Sequence, residues 1–261
     1  MKSFHNKTVL ITGASSGIGE AFARLLAAKG ADLILTARSD KKLQELANEL
    51  VENHGIKTKV FPADLSSPET PTKLFQQIQK AGWEVDVVIN NAGFGKWGHF
   101  EAVDNATYQE MCNLNINAVV ALTHLFLPGM LKKQDGGFIN VASTAAFQPV
   151  PFFATYSATK SFVLNFSEAL WAECRDKGIT ITCLCPGNTE SNFHKRANTE
   201  PEKLKGLEPA EKVAKLGLNA FLKGRPTVIS GVKNYLLANS SRLAPRKMVA
   251  QVTAGMFRPE N

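Results

Sequence analysis

Cysteine is scarce in this chain of 261 residues, which contains only Cys112, Cys174, Cys183 and Cys185. Their spacing matches no zinc-binding motif, so no metal site is predicted. Cys183 and Cys185 lie two residues apart in the apolar run ITITCLC, which places them on one face of a strand. We therefore expect buried free thiols and a reducing compartment, the cytoplasm.

Three other features are also absent from the sequence. No apolar run is long enough to cross a bilayer, which predicts no integral membrane segment. The N-terminus, MKSFHNKTVLITG, lacks the apolar stretch and cleavage site of a signal peptide and is interpreted as the first strand. The net charge is +7, but Lys and Arg are spread among acids without a dense basic block. This argues against nucleic-acid binding and is compatible with attraction for an anionic ligand.

Apolar runs rich in Val and Ile alternate with amphipathic stretches along the whole chain. The runs lie at 8–13, 31–37, 58–65, 85–93, 137–143, 179–187 and 226–231. Their composition is typical of strands buried on both faces. The alternation predicts an α/β, doubly wound Rossmann fold, with a seven-stranded parallel sheet, helices on both faces and a single domain over 1–261. The polar segment 188–208 interrupts it and is either a substrate loop or a plain surface loop.

A glycine-rich stretch, TGASSGIG (12–19), directly follows the first predicted strand and opens a helix. Glycine allows a tight turn and a close approach of backbone to a ligand, and a helix N-terminus offers free N–H groups to a pyrophosphate. The position of the stretch predicts a dinucleotide-binding loop. The residues expected to contact the cofactor are Gly13, Ser15, Ser16, Gly17, Ile18 and Gly19.

The end of the second strand indicates which dinucleotide is bound. An NAD site usually places an acid here, whereas this chain has Arg38. A guanidinium binds a ribose phosphate bidentately, so NADP(H) is favoured and NAD(H) is the less favoured cofactor. The alternative is that Arg38 faces solvent, and the nearby Asp40 weakens the distinction.

The ends of the third and fourth strands add further cofactor candidates. Asp64, followed by Leu65, could accept a hydrogen bond from the adenine amino group or could act as an N-terminal cap. In NNAG (90–93), Asn90 could tie neighbouring strands together. The remaining residues of this motif are expected to approach the cofactor: Asn91, Ala92 and Gly93.

A possible catalytic group follows the fifth strand. Ser143 closes that strand, and the carboxyl ends of strands face the ligand crevice in this architecture. Tyr156 and Lys160 lie four residues apart in TYSATK, and a helix beginning near Thr155 would place them on one face. Such a pair alone is usually an ordinary turn of helix, but its position close to Ser143 favours catalysis.

The motifs together resemble the short-chain dehydrogenase/reductase family, over most of the chain from TGASSGIG through NNAG, Ser143, TYSATK and PGNTES. The chain looks most like bacterial NADP-dependent members of unassigned substrate. The resemblance implies a Ser–Tyr–Lys triad extended by an asparagine. It also implies that Thr189, following Pro186 and Gly187, binds the nicotinamide carboxamide. Asn188 departs from the family, which often has proline there.

Three asparagines could complete the tetrad: Asn113, Asn115 and Asn117. By helical angle, Asn115 lies nearest the apolar face of this segment and Asn113 points most nearly away. The family pattern selects Asn115 as well, and implies that its backbone carbonyl holds an ordered water in a proton relay. The alternative is an asparagine that caps or bends the helix.

The resemblance implies hydride transfer between a nicotinamide and a carbonyl or alcohol, with Tyr156 as general acid and base. A free tyrosine has a pKa near 10, and a nearby Lys160 cation would lower it. Ser143 would donate a hydrogen bond to the substrate oxygen. An NADP(H)-binding regulator without catalysis, a nucleic-acid binder, and an isomerase or epimerase with the same fold are the alternatives.

The substrate and partners are less constrained by the sequence. Aromatic residues in loops near the crevice predict an apolar substrate, unless they belong to the core: Phe94, Trp97, Phe147, Phe152, Phe153 and Phe193. Lys195 and Arg196 could meet an anionic substrate, although a solvated pair is favoured. The basic, amphipathic stretch 242–258 could pack on a partner subunit or touch a membrane. Subunit packing is favoured because the family usually forms dimers or tetramers.

Overall fold

The computed structural model describes residues 1–191, 193–197 and 206–259, so part of the predicted substrate loop lies outside the described residues. Seven strands form one parallel sheet in the order β3-β2-β1-β4-β5-β6-β7. The strands are β1 Thr8–Thr12, β2 Asp32–Thr36, β3 Thr58–Val60, β4 Val87–Asn90, β5 Gly136–Val141, β6 Ile179–Cys185 and β7 Thr227–Ile229.

Ten α-helices occur in the described ranges. They are α1 Gly17–Ala27, α2 Asp40–His54, α3 Thr70–Lys80, α4 Asn105–Cys112, α5 Ala118–Lys133, α6 Ala154–Cys174, α7 Phe193–Ala197, α8 Ala210–Leu222, α9 Val232–Ser240 and α10 Arg246–Phe257. A π-helical turn, Asn113–Asn117, joins α4 to α5.

Helices cover both faces of the sheet, which explains why the strand sequences are apolar without alternation. Val9 and Ile11 of β1 belong to a core shared with α1, α2 and α8, whereas Leu10 belongs to the core on the opposite face. Successive side chains of a strand point to opposite faces, so both faces need apolar residues. The predicted fold class and all seven strands are confirmed.

The strand order fixes where a ligand can bind. β1 lies between β2 and β4, so the chain crosses the sheet in one direction up to β3 and in the other direction from β4 onward. At such a switch point the loops after neighbouring strands diverge and leave a crevice at their carboxyl ends. The glycine-rich loop follows β1, and NNAG spans the end of β4, so both motifs lie at this crevice.

One helical run in the described part, Asn105–Lys133, could cross a membrane by length and composition alone. In the fold it packs against the sheet, with Met111, Leu114 and Leu122 buried in the core. A core helix passes the same test, so the run is weak evidence for a span. The absence of a membrane-spanning segment stays a prediction.

Candidate active site

A cleft of about 820 Å³ opens at the carboxyl ends of the strands. It brings together most of the residues predicted to bind cofactor or to act in catalysis: Gly13, Ser15, Ser16, Ile18, Arg38, Asp64, Leu65, Asn91, Ala92, Gly93, Ser143, Tyr156, Lys160, Pro186, Gly187 and Thr189. Gly17, Gly19 and Asn115 do not line it. The predicted residues, spread over more than 170 positions of sequence, therefore share one site.

The glycine-rich loop fits a bound pyrophosphate. A side chain at Gly19 would clash with the Gly13 carbonyl oxygen and would lie 2.6 Å from Asn91 Nδ2, so the turn closes only with glycine there. Ser16 is the N-cap of α1, and its side chain makes no capping hydrogen bond. The N–H groups of the first turn and the positive end of the helix dipole therefore face the cleft.

Four charged side chains meet at the end of the cleft beside β2 and β3. Arg38 is 55% exposed, and its guanidinium lies 4.0 Å from the Glu110 carboxylate of α4. Arg196 of α7 donates a hydrogen bond of 2.8 Å to the same carboxylate and stacks on the Phe94 ring at 3.7 Å. Burial and then repulsion from Arg38 lower the pKa of Arg196. Arg196 is therefore paired and packed, not one of the solvated pair favoured by the sequence, while the Lys195 side chain lies outside the described residues.

Asp64 is also at this end, with its carboxylate accepting hydrogen bonds from the Ser66 backbone N–H at 3.0 Å and the Ser66 hydroxyl at 2.7 Å. It closes a turn and does not cap α3, whose N-cap is Glu69. Of the two expected roles, the helix cap is wrong, and the adenine contact stays a prediction.

Asparagines of NNAG hold the cleft wall together. The Asn90 amide donates to Asn140 Oδ1 on β5 at 2.8 Å, which confirms that this residue ties neighbouring strands. The Asn91 amide donates to the Thr12 carbonyl at 2.9 Å and so fixes the fourth strand to the start of the glycine-rich loop. A side chain at Gly93 would lie 3.0 Å from Asn115 Oδ1 and 3.3 Å from Lys160 Nζ.

Ser143, Tyr156 and Lys160 line the cleft beside NNAG. Ser143 follows β5 and its hydroxyl accepts a hydrogen bond from the Ala145 N–H at 3.1 Å. Tyr156 occupies the first turn of α6, which begins at Ala154, one residue before the predicted start. Lys160 lies one turn further along α6, and its ammonium donates to the Val141 carbonyl at 2.8 Å.

The titration of this pair is dominated by burial. Burial raises the pKa of Tyr156 to about 12, and hydrogen bonding with Ser143 opposes this with a smaller lowering. Burial lowers the pKa of Lys160 from 10.5 to about 8. Lys160 Nζ lies 5.8 Å from the Tyr156 ring centroid. The expected lowering of the tyrosine pKa is therefore wrong for the protein alone, because desolvation by burial is the largest effect on the phenol.

Asn115 is buried in the π-helical turn and acts behind the cleft wall. Its Oδ1 accepts from the Phe94 N–H at 3.1 Å, and its Nδ2 donates to the Phe94 carbonyl at 2.9 Å and to Thr159 Oγ1 at 3.0 Å. The side chain thus joins the segment after β4 to α6. Asn115 is the buried one of the three, as chosen, whereas the exposed one is Asn117 and not Asn113, which was expected to point most nearly away. The water-holding role of the Asn115 carbonyl stays a prediction.

The substrate end of the cleft is largely aromatic. The rings of Phe153 and Phe193 lie 4.5 and 5.3 Å from the Tyr156 ring, centroid to centroid, and pack against it. Phe94 also lines the cleft. The other three aromatic residues expected near the crevice do not line it: Trp97, Phe147 and Phe152.

Two residues of this end were not singled out from the sequence. Gln148 lines the cleft, and its Oε1 is buried without a hydrogen-bond partner in the described part of the chain. Phe257, at the end of α10, also lines the cleft, and its carbonyl accepts a hydrogen bond from Trp97 Nε1 at 2.9 Å. No local signal marks either residue, because tertiary packing of distant segments brings them here.

The segment after β6 crosses the cleft. Thr189 donates from its hydroxyl to the Gly187 carbonyl at 3.0 Å and pairs as an isolated bridge with Glu208. Glu208 N–H donates in turn to the Asn188 carbonyl at 2.9 Å. The turn thus forms with asparagine where the family often has proline, because the pairing to Glu208 holds its backbone. Ser191 packs over Gly17, so the segment lies on the glycine-rich loop.

Comparison with known proteins places this geometry in context. The family model described as short chain dehydrogenase matches residues 7–202. Nodulation protein G of Rhizobium sp. (strain N33) is 33% identical over 238 residues, which cover 86% of this chain and 96% of that protein. A very-long-chain 3-oxoacyl-CoA reductase of Anas platyrhynchos is 37% identical over 183 residues, or 68% of this chain. The chain matches 58% of that reductase's length.

A solved structure shares the fold. The short-chain dehydrogenase from Sphingobium yanoikuyae, in complex with NADPH, has a TM-score of 0.83 and 28% sequence identity. The similarity covers 91% of this chain and 93% of that one. Coverage of 91% exceeds what residues 1–202 alone could give, so the shared fold extends past the residues matched by the family model.

Proposed function

Because the chain belongs to the short-chain dehydrogenase/reductase family, we propose that it is an NADP(H)-dependent oxidoreductase that interconverts a carbonyl and an alcohol on a small, apolar substrate. The observation that carries the proposal is the wall of the cleft, where Ser143, Tyr156 and Lys160 meet. Each group has a direct role in moving a proton at a substrate oxygen. The bound nicotinamide would supply or accept the hydride.

Tyr156 is placed to deliver the proton. Its hydroxyl is neutral at pH 7, since burial raises its pKa to about 12, so it can donate to a carbonyl oxygen that gains negative charge. Ser143 donates a second hydrogen bond to the same oxygen. Lys160, held by Val141, positions its ammonium behind the phenol, where it stabilises the phenolate that remains. In the reverse direction the phenolate accepts the proton.

Arg38 supports the preference for NADP(H). It lies at the end of β2, lines the cleft and is exposed enough to receive a phosphate. A guanidinium suits a ribose phosphate, whereas an acid would repel it. Members of this fold bind NADPH and also NAD, so the preference rests on this residue.

The cleft supports an apolar substrate of extended shape. Phe153 and Phe193 pack against the Tyr156 ring, and Phe257 adds to the apolar lining of the cleft. Gln148 offers one amide to a polar group of the substrate. The relative from Anas platyrhynchos is described as a reductase of very-long-chain 3-oxoacyl-CoA, which makes long-chain 3-oxoacyl compounds the first class to test.

The test is a titration of the protein with NADPH and NADH, followed by nicotinamide fluorescence. A panel of aldehydes, ketones and 3-oxoacyl thioesters is then assayed with the cofactor that binds more tightly. We expect Tyr156→Phe to bind NADPH as the wild type does and to lose most activity. Tyr235→Phe, the same change at an exposed tyrosine of α9, is the matched control. Turnover of Tyr156→Phe close to wild type would contradict the role of the phenol.

The second candidate is a regulator that binds NADP(H) without catalysis, as the glycine-rich loop alone would allow. It needs neither Tyr156 nor Ser143, so tight NADPH binding without turnover across the panel would favour it. We also propose a cytoplasmic homodimer or homotetramer, which sedimentation of the purified protein would test. Nucleic-acid binding is not proposed.

A further inference from the structure

Exposed apolar side chains are concentrated near the C-terminus. Nine of the twelve large hydrophobic residues that are exposed in the described chain lie between Val232 and Phe257: Val232, Tyr235, Leu236, Leu237, Leu243, Met248, Val252, Met256 and Phe257. Met248, Val252 and Met256 recur every four residues and share one face of α10. We call the nine residues the C-terminal apolar surface. Four of the nine lie on α9, one in the turn that follows it and four on α10. Exposed large apolar side chains concentrated in one region of a chain mark an interaction site.

This region is strongly basic. Residues 232–261 contain five cations and one acid, Glu260. Four of the cations are exposed: Lys233, Arg246, Lys247 and Arg258. Lys and Arg on one face of a helix and large apolar residues on another are typical of helices that lie in the headgroup region of a bilayer.

The surface is fixed around the mouth of the cleft. Ser241 donates to the Phe147 carbonyl at 3.0 Å, and Thr253 of α10 donates to the Pro149 carbonyl at 2.9 Å. The turn that contains Ser241 and helix α10 therefore both pack on the loop between Ser143 and Tyr156. Phe257 belongs to the surface and to the cleft lining at once. A partner that covers the surface would therefore lie beside the entrance of the cleft.

We propose that the C-terminal apolar surface docks on an anionic phospholipid bilayer. In a two-fold contact a surface packs on the same surface of a second copy. The cations of the two copies would then face one another, which is unfavourable. A bilayer with anionic headgroups complements the cations and receives the apolar side chains at the same time. The sequence alone favoured subunit packing for 242–258. We now assign subunit contacts to other faces of the protein.

Docking has a consequence for access to the site. The mouth of the cleft would face the lipid, so an apolar substrate could pass from the bilayer into the cleft without crossing water. Docking itself does not depend on the proposed reaction, whereas this route does. Binding to lipid can therefore be tested without any assay of turnover.

The test is co-sedimentation of the full chain with vesicles of phosphatidylcholine, with and without phosphatidylglycerol. We expect binding to the anionic vesicles that weakens with added salt, and little binding to the neutral ones. The double variant Leu243→Ser/Met256→Ser, at positions 90% and 72% exposed, should weaken binding by roughly tenfold or more. Val51→Ser, which removes a 42% exposed side chain from α2, is the matched control and should bind as the wild type does.

Three outcomes would overturn the proposal. They are failure to bind anionic vesicles, equal binding to neutral and anionic vesicles, and a double variant that binds as the wild type does. If the double variant instead sediments as a monomer while the wild type forms a dimer that ignores vesicles, a second copy covers the surface. Circular dichroism and NADPH fluorescence of each variant confirm that the fold and the cleft are retained.

Discussion

Replacement of Lys160 by methionine should change how the stability of the protein depends on pH. The lysine is 5% exposed, and burial lowers its pKa from 10.5 to about 8. A shift of this size corresponds to about 3 kcal/mol between the charged and neutral forms. The burial of this cation therefore destabilises the unliganded fold at neutral pH.

The sign of the effect follows from proton binding. Below pH 8 the lysine is charged in the folded and the unfolded chain, and burial of the cation lowers the free energy of unfolding by its full amount. Between pH 8 and 10.5 the unfolded chain binds more protons, so the free energy of unfolding rises with pH. Above pH 10.5 the lysine is neutral in both states, and its burial no longer lowers the free energy of unfolding. The wild type should thus gain about 3 kcal/mol from this one group across the window.

Methionine removes both the cation and a hydrogen bond. The Val141 carbonyl loses its donor, which costs about 1–3 kcal/mol at any pH. The Lys160→Met protein should therefore match or exceed the wild type in stability at pH 7 and fall below it at pH 11, so the two curves cross. Its NADPH-dependent activity should be largely lost at both pH values.

Urea unfolding followed by tryptophan fluorescence at steps of pH from 7 to 11 measures the difference. Other groups that titrate in this range are common to both proteins and cancel in that difference. Lys42→Met, which changes an exposed lysine of α2, is the control and should give a curve parallel to the wild type. A constant difference between wild type and Lys160→Met from pH 8 to 10.5 would refute a buried, easily deprotonated lysine.

Three further changes test other parts of the site. Arg38→Asp should weaken NADPH binding much more than NADH binding in a fluorescence titration, because the phosphate loses its cation; equal losses would undo the cofactor assignment. Asn115→Ala should lower the free energy of unfolding in urea by about 2 kcal/mol or more, since it strands the Phe94 backbone groups. No loss would mean that these groups find other partners. Gln148→Leu should raise that free energy by about 1 kcal/mol, because it removes a buried oxygen without a partner. Destabilisation by this change would show that the amide is paired.

The fold was predictable from the sequence because its signals are local and repeated. Each strand is a short apolar run, and the glycine-rich loop follows the first of them at a position that only a strand-to-helix turn explains. Strands of a parallel sheet that is covered on both faces must be apolar throughout. The composition of the runs alone therefore indicated helices on both faces of the sheet. The boundaries were less exact, as in β3, which ends at Val60 although the apolar run continues to 65.

The site was predictable where a residue lies at the end of a strand, and not where distant segments meet. Ser143 and Arg38 follow strands whose carboxyl ends must face the crevice. Arg196 and Gln148 are placed by the segment after β6 and by the loop before α6, whose paths no periodicity describes. The pairing of Arg196 with Glu110 links α7 to α4, and sequence gives no sign of that contact.

The protonation of the catalytic pair shows a further limit of reasoning from spacing. The i, i+4 spacing of Tyr156 and Lys160 predicts that they share a helix face, and it suggests a cation beside a phenol. Whether the tyrosine pKa falls or rises depends on the balance of that cation against desolvation. In the protein alone, Lys160 bonds to the Val141 carbonyl, and the surrounding rings exclude water, so desolvation dominates. A ligand bound in the cleft must then add to the positive charge that stabilises the Tyr156 phenolate. The pH profile of activity should therefore differ from the titration of Tyr156 in the unliganded protein.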